Sequence, residues 1–276
     1  MRSSSSPTVV AREISKEYRV NMRGNGSTGF FRKSSTVQAL KTASFVTYAG
    51  ESVGVLGRNG SGKSTLMSLL AGNVAPTSGE IFVKARPTLL SVGAALKKDL
   101  TGLENAKLGL LAQGFSKEQA TEKFREVAEW AEIGDAIYRP YDTYSSGMKA
   151  RLKFSIATAG FPTVLLVDEA LATGDSAFNR KAKDRMAQFL DNAGTVFIVS
   201  HSPSTIRSHC NRAMWLNEGE LIADGDVAET SSMYRRWSKA LSNKDRAKAR
   251  QAVRHARNNY EVPHIIFDSE AALTLE

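Results

Sequence analysis

The chain has 276 residues, of which 42% are hydrophobic and 24% charged. This balance fits a globular chain long enough to bury a substantial core, and it excludes a disordered or fibrous one. Lys and Arg number 37 against 28 Asp and Glu, a formal charge of +9. No run of about 18 apolar residues occurs, so no membrane-spanning segment is expected. Met1-Arg2 runs into serines without an apolar stretch, unlike a signal peptide. A single cysteine, Cys210, excludes a disulfide scaffold and a multi-cysteine metal site. The expectation is a soluble cytoplasmic protein.

Apolar runs alternating with helical stretches predict an α/β fold with a largely parallel sheet. In chain order, strands are expected at Val9–Ile14, Ala43–Thr47, Ser52–Leu56, Glu80–Val83 and Thr88–Ser91, then at Thr163–Val167, Thr195–Val199, Ala213–Leu216 and Leu221–Ala223. Arg19–Gln38 is a Gly/Ser/Lys/Arg stretch around the pair Phe30–Phe31. From about Leu96 to Ala159 strand signals give way to helical periodicity, which predicts an inserted helical subdomain over about 95–160. A helix after Asp175 carries Phe178, Ala182, Met186 and Phe189 as one apolar stripe. Beyond about Thr230 comes a tail of helix-forming composition, and between Arg235 and Arg257 it holds nine Lys/Arg against one acid, Asp245. Such a tail suits a polyanion, either an anionic lipid surface or nucleic acid. The expected division is 1–230 for the α/β body and 231–276 for the tail.

Three motifs sit at expected strand ends. Ser52–Leu56 runs into Gly57-Arg58-Asn59-Gly60-Ser61-Gly62-Lys63-Ser64-Thr65 and then an apolar helix, a phosphate-loop pattern in its strand–loop–helix context. Glycines let backbone N–H groups converge on phosphates, the helix N-terminus adds partial positive charge, Lys63 reaches the outer phosphates, and the Ser64 hydroxyl can ligate magnesium. The second apolar run ends in Asp168-Glu169, where one acid can hold magnesium and the other can polarise an attacking water. The third ends in Ser200-His201-Ser202, placing an imidazole where it can donate to a terminal phosphate.

Tyr144-Ser145-Ser146-Gly147-Met148-Lys149 then precedes an expected helix at Ala150–Ala159 and reads as its Ser/Gly-rich N-terminus, an anion site on a separate part of the chain. With this motif in that order, roughly residues 8–230 resemble the ATPase subunits of ABC transporters. The resemblance implies a P-loop fold with a mostly parallel central sheet, an antiparallel β region and the helical insertion. It also implies ATP and Mg2+ as cofactors and a second copy of the chain, across which Ser145, Ser146 and Gly147 close on the nucleotide in trans. Tyr18 matches the adenine-stacking aromatic of the family and Asp175, in Ala172-Thr173-Gly174-Asp175, its D-loop. Lys63, Glu169 and His201 would be catalytic, and Ser64 and Asp168 would hold the metal.

More narrowly, Tyr144–Leu152, Val167–Asp175 and Leu100–Asn105 are similar to the ATPases that export lipid-linked cell-surface polymers. Ala131–Asp135 and the short tail lean toward the teichoic-acid branch over O-antigen or galactan exporters. The implied partner is a polytopic permease that itself contacts most of the lipid-linked glycan, with this chain peripheral at the cytoplasmic face of the membrane. Nucleic-acid ABC ATPases fit less well, because neither a second cassette nor a long coiled coil is visible. A small-solute transporter would sit better with a normal Q-loop. Here Ser91-Val92-Gly93 stands where the family has glutamine, and Ser91 is a candidate water-mediated magnesium contact. The Arg19–Gln38 stretch is longer than most of the family has.

Overall fold

The computed structural model describes residues 6–22, 33–89, 96–160, 162–168, 176–192, 194–267 and 270. Strands β1 (Pro7–Met22) and β2 (Lys33–Tyr48) form an antiparallel ribbon, followed by β3 (Ser52–Leu56), α1 (Lys63–Leu70), β4 (Ser78–Val83) and β5 (Thr88–Leu89). Helices α2 (Gly102–Ala112), α3 (Lys117–Ala131) and α4 (Ser146–Thr158) come next, with two short 3-10 turns between α3 and α4. The chain returns through β6 (Val164–Asp168), α5 (Ser176–Asp191), β7 (Thr195–Ser200), α6 (Pro203–His209), β8 (Arg212–Asn217) and β9 (Glu220–Asp226). It then runs into α7 (Val227–Ser242) and α8 (Arg246–Asn259).

The central sheet has the order β5-β6-β7-β3-β8-β9 and is parallel except for β9. The second sheet, β2-β1-β4, is antiparallel. Side chains alternate across a strand, so each central strand feeds two cores. Val53, Val55, Leu166, Phe197, Val199, Met214 and Leu216 face α1 and the antiparallel sheet. Leu165, Val167, Val196, Ile198, Ala213 and Trp215 face the other side, where Phe178, Ala182, Met186 and Phe189 of α5 pack as their spacing requires. A third core holds α2, α3 and α4 together through Ala106, Leu110, Val127, Leu152 and Ile156.

The expected strands at Val9–Ile14 and Ala43–Thr47 are cores of longer elements. β1 and β2 stay paired out to Met22 and Lys33, so both flanks of the Arg19–Gln38 stretch are strand. The ribbon beyond Lys16 meets little of the core, which is why its residues carry no buried-strand pattern; Tyr18, Val20 and Val37 are exposed. Residues 23–32, with Phe30–Phe31, lie outside the described residues.

The expected boundary near residue 230 falls inside α7. Tyr234 and Trp237 are buried against Trp215 of β8, with the three rings 5.3–5.7 Å apart in tilted and edge-on pairs. Aromatic pairs of this kind add about 0.5–1.5 kcal/mol each beyond their buried area, so the beginning of the basic tail is anchored in the main core. After α8 the chain crosses back to the antiparallel sheet. There Phe267 stacks edge-on with Phe82 at 5.0 Å, and Arg12 Nη1 donates to Glu270 at 2.6 Å.

Candidate functional site

β3, β7 and β6 are neighbours, with Leu56 opposite Ser200 and Val199 opposite Asp168. Their C-terminal ends therefore open on one edge of the sheet, where α/β folds bind ligands. The loop after β3 is the Gly57–Thr65 segment. A Cβ on Gly57 would come within 2.3 Å of Ser61 Oγ and 2.6 Å of the Leu216 carbonyl oxygen. Gly62, at φ 102°, enters α1 in a left-handed conformation, and a Cβ there would meet the Ala39 carbonyl oxygen at 2.6 Å. Only glycine satisfies both constraints.

The sequence Gly-x4-Gly-Lys-Ser thus folds so that α1 begins at Lys63 with no side-chain cap and no acid in its first turn. Its first N–H groups and positive dipole end are directed to the sheet edge. Lys63 is 8% exposed, and its ammonium donates to the carbonyl oxygens of Gly57 at 2.7 Å and Arg58 at 2.9 Å. Ser61 is buried, and its hydroxyl finds no hydrogen-bond partner among the described residues. An uncapped helix start, a buried ammonium and an orphaned buried hydroxyl in a loop without Cβ obstruction fit a chain of phosphates.

Asn59, Gly60 and Ser64 are exposed along the loop, and Thr65 is half-buried. Asp168 closes β6, while Glu169, Asp175 and Ser91 lie outside the described residues. His201 follows β7 directly and is exposed, beside the Ser202 cap of α6. Tyr18 sits 37% exposed on the ribbon with the Lys16 ammonium 5.3 Å from its ring centre. Gln113, the glutamine nearest the Ser91 stretch, is engaged elsewhere: its Nε2 donates to the Ile156 carbonyl at 2.7 Å, tying α2 to α4.

Ser145 caps α4 by accepting from Met148 N at 3.2 Å, and Ser145 and Ser146 are exposed. Gly147 is half-buried in the first turn. This turn is held by Tyr144, whose hydroxyl donates to the Ala136 carbonyl at 2.6 Å and whose ring packs in the core of the helical region. Helix α1, which follows the phosphate loop, packs instead against the core under the antiparallel sheet. The starts of α1 and α4 thus belong to different cores of the fold.

The ABC transporter family matches residues 40–172. A protein of Staphylococcus epidermidis called Teichoic acids export ATP-binding protein TagH is 34% identical over 250 residues, covering 89% of this chain and 95% of that protein. This chain belongs to that family of ABC transporter ATP-binding proteins. The like-named protein of Bacillus anthracis is 42% identical over 196 residues, 71% of this chain but only 36% of its own length. The chain therefore spans well under half of some relatives and nearly all of others. Among solved structures, the ATP-binding cassette MJ0796, described as a dimeric post-hydrolysis state bound to ADP and Pi, superposes with a TM-score of 0.66. It shows 22% identity over 79% of this chain and 98% of that one, a likeness of fold. The α/β class, parallel central sheet, antiparallel β region and helical insertion are those of ABC cassettes.

Two features beside the site escape the sequence reading. Arg212 of β8, next to β3, donates from Nε and Nη2 to both oxygens of Asp224 at 2.7 Å and from Nη1 to Glu51 at 2.8 Å. The basic tail also lies against the phosphate loop: Arg58 and four arginines of α8 line a common cavity of about 770 Å³. The spacing of those arginines was readable; the proximity was not.

Proposed function

We propose that this chain is the ATP-hydrolysing subunit of an exporter that moves lipid-linked teichoic acid across the cytoplasmic membrane. It would act as a pair of identical copies, peripheral at the cytoplasmic face and bound to a separate polytopic permease. The observation that carries the reading is the convergence of the three strand ends, Leu56, Asp168 and Ser200, on the uncapped start of α1. The names of the relatives supply the substrate class. Among the described residues no helix is long and apolar enough to cross a membrane, and a membrane partner would supply the path.

In this reading the backbone N–H groups of Gly57–Thr65 and the Lys63 ammonium bind the phosphates of ATP, and Tyr18 stacks on the base. Ser64 and Asp168 would hold Mg2+, with Ser91 a further water-mediated contact. Magnesium, when bound, neutralises charge on the phosphate oxygens. Glu169 takes the proton of the attacking water and His201 donates to the terminal phosphate. Ser145, Ser146 and Gly147 of a second copy cover the nucleotide, because the exposed α4 start belongs to a different core from the α1 start, and Asp175 links the two sites. ATP then acts as a switch by favouring the closed pair.

The test is transport by the chain reconstituted with its permease in vesicles supplied with lipid-linked teichoic acid. ATP-dependent movement is the expected result. Movement of a different lipid-linked polysaccharide alone would redirect the substrate, and a complex that hydrolyses no ATP would overturn the reading.

A further inference from the structure

The basic segment that the sequence places at the end of the chain has two faces with different surroundings. Arg246, Arg250, Arg254 and Arg257 recur at intervals of four, four and three, the repeat of one helical stripe. Ala249 and Ala256 are buried against the main core and fix the helix in that rotation. The stripe lines the 770 Å³ cavity together with Arg58 of the phosphate loop. Other basic groups, Arg236, Lys239 and Lys248, line a separate depression of about 470 Å³ between α7 and α8.

Five guanidinium groups thus border one cavity whose only acidic lining residue is Glu218. Arg257 pairs with Glu220 at 2.6 Å. Among the described residues, Arg58, Arg246, Arg250 and Arg254 form no ion pair. Like charges stacked along a helix face destabilise it, and an anion between the arginines would relieve that repulsion. The floor is apolar, with Trp237 and Val253 among its residues. The volume is that of small-molecule sites, and planar guanidinium forks match phosphate oxygens in pairs.

We infer that the groove between α8 and the phosphate loop binds an oligophosphate anion, at a place adjoining the nucleotide position over Lys63 and Ser64. Asn59, Gly60 and Ser61 of the loop line it and are shared with the nucleotide position, whereas Lys63, Ser64, Thr65 and Tyr18 do not line it. Because Arg58 belongs to both the loop and the groove, an occupant ties α8 to the loop. The shared chemistry is a run of linked phosphates, whether free or carried on a nucleotide. The inference goes beyond the proposed function and does not need it to hold.

The test is titration calorimetry of the full chain with inorganic tripolyphosphate and, separately, with ATP. The Lys63→Ala variant weakens the nucleotide position by removing its ammonium, and the α8 substitutions report the groove. Tripolyphosphate should still bind Lys63→Ala, and adding Arg250→Glu with Arg254→Glu should weaken it by about tenfold or more, as expected for lost charge-assisted contacts. Arg250→Gln with Arg254→Gln should weaken it less, with an unchanged melting temperature showing that α8 stays folded. Binding of ATP to the groove of Lys63→Ala would make a nucleotide the source; binding of tripolyphosphate alone would make it a free oligophosphate. The inference is overturned if tripolyphosphate fails to bind the native chain, if Lys63→Ala alone abolishes binding, or if reversing the arginines changes nothing. It is likewise overturned if phosphatidylglycerol vesicles bind α8 while tripolyphosphate does not compete. Unimpaired ATP hydrolysis by Lys63→Ala would count against the proposed function and leave the groove result standing.

Discussion

Lys63 Nζ lies 2.7 Å from the carbonyl oxygen of Gly57, six residues earlier, so the ammonium spans its own loop. The charge is buried and held by carbonyl dipoles of Gly57 and Arg58. An arriving phosphate chain offers the same ammonium full negative charges, which bind it about twice as strongly as neutral acceptors do. Lys63→Ala is expected to lower ATP hydrolysis by about 100-fold or more, measured as phosphate release. Because the loop glycines remain, the melting temperature should change little.

Glu169 follows the end of β6 and is the candidate to accept the proton of the attacking water. Glu169→Gln should bind ATP yet lower turnover by about 10²–10⁴, the range for losing a positioned base. A closed pair should accumulate with ATP and be visible by size-exclusion chromatography. Turnover near the native rate would remove Glu169 from this role.

Ser145 does two things that can be separated. As the cap of α4 it accepts from Met148 N, and losing a serine cap costs about 0.5–2 kcal/mol. As part of the lid it would touch nucleotide on another copy. Ser145→Arg should lower the melting temperature modestly, keep single-copy nucleotide binding, and abolish ATP-dependent pairing. Ser145→Asp keeps a cap but brings negative charge to the phosphates, so pairing should fail without loss of stability.

Arg212 and Asp224 share two parallel hydrogen bonds of 2.7 Å, with side-chain exposures of 17% and 6%. Breaking a buried pair by removing one partner typically costs about 3–5 kcal/mol. Asp224→Asn should lose a large part of that, read from denaturant unfolding. Arg212 also holds Glu51 and the Val46 carbonyl, so the loss should loosen the join between β2 and the central sheet.

His209 at the end of α6 has a buried Nδ1 with no hydrogen-bond partner among the described residues. Burial, and secondarily the charge of Lys183, hold its pKa below the ordinary histidine value. The unfolded chain therefore binds this proton more readily than the folded one. The stability that His209 contributes is present above its unfolded pKa of about 6.5 and lost as pH falls from there through the lower folded value. A melting temperature that drops on acidification below pH 6.5 should drop less in His209→Gln.

Much of this molecule was legible because short-range rules sufficed. The buried parallel strands are continuous apolar runs, the loop glycines mark a backbone that approaches other backbone closely, and the stripe Phe178–Phe189 announces which side of α5 is buried. Tyr234 and Trp237 show where those rules stop. In sequence one precedes and the other lies within the basic run, so they read as part of a tail, whereas they pack on Trp215 and continue the core. The length of the β1–β2 ribbon was hidden for the opposite reason: its outer half buries too little for periodicity to record it.

Composition and local pattern determined the α/β class, the strand–loop–helix pattern of Gly57–Thr65, and the acid and imidazole at strand ends, since each depends on residues close together in the chain. Only the tertiary structure decided that Arg212 meets Asp224 and Glu51, that Gln113 is spent bracing α2 on α4, and that the arginines of α8 share a cavity with Arg58. Those relationships join segments far apart in sequence. Spacing along a helix shows which side chains share a face, but what that face meets is set by how the cores pack beneath it.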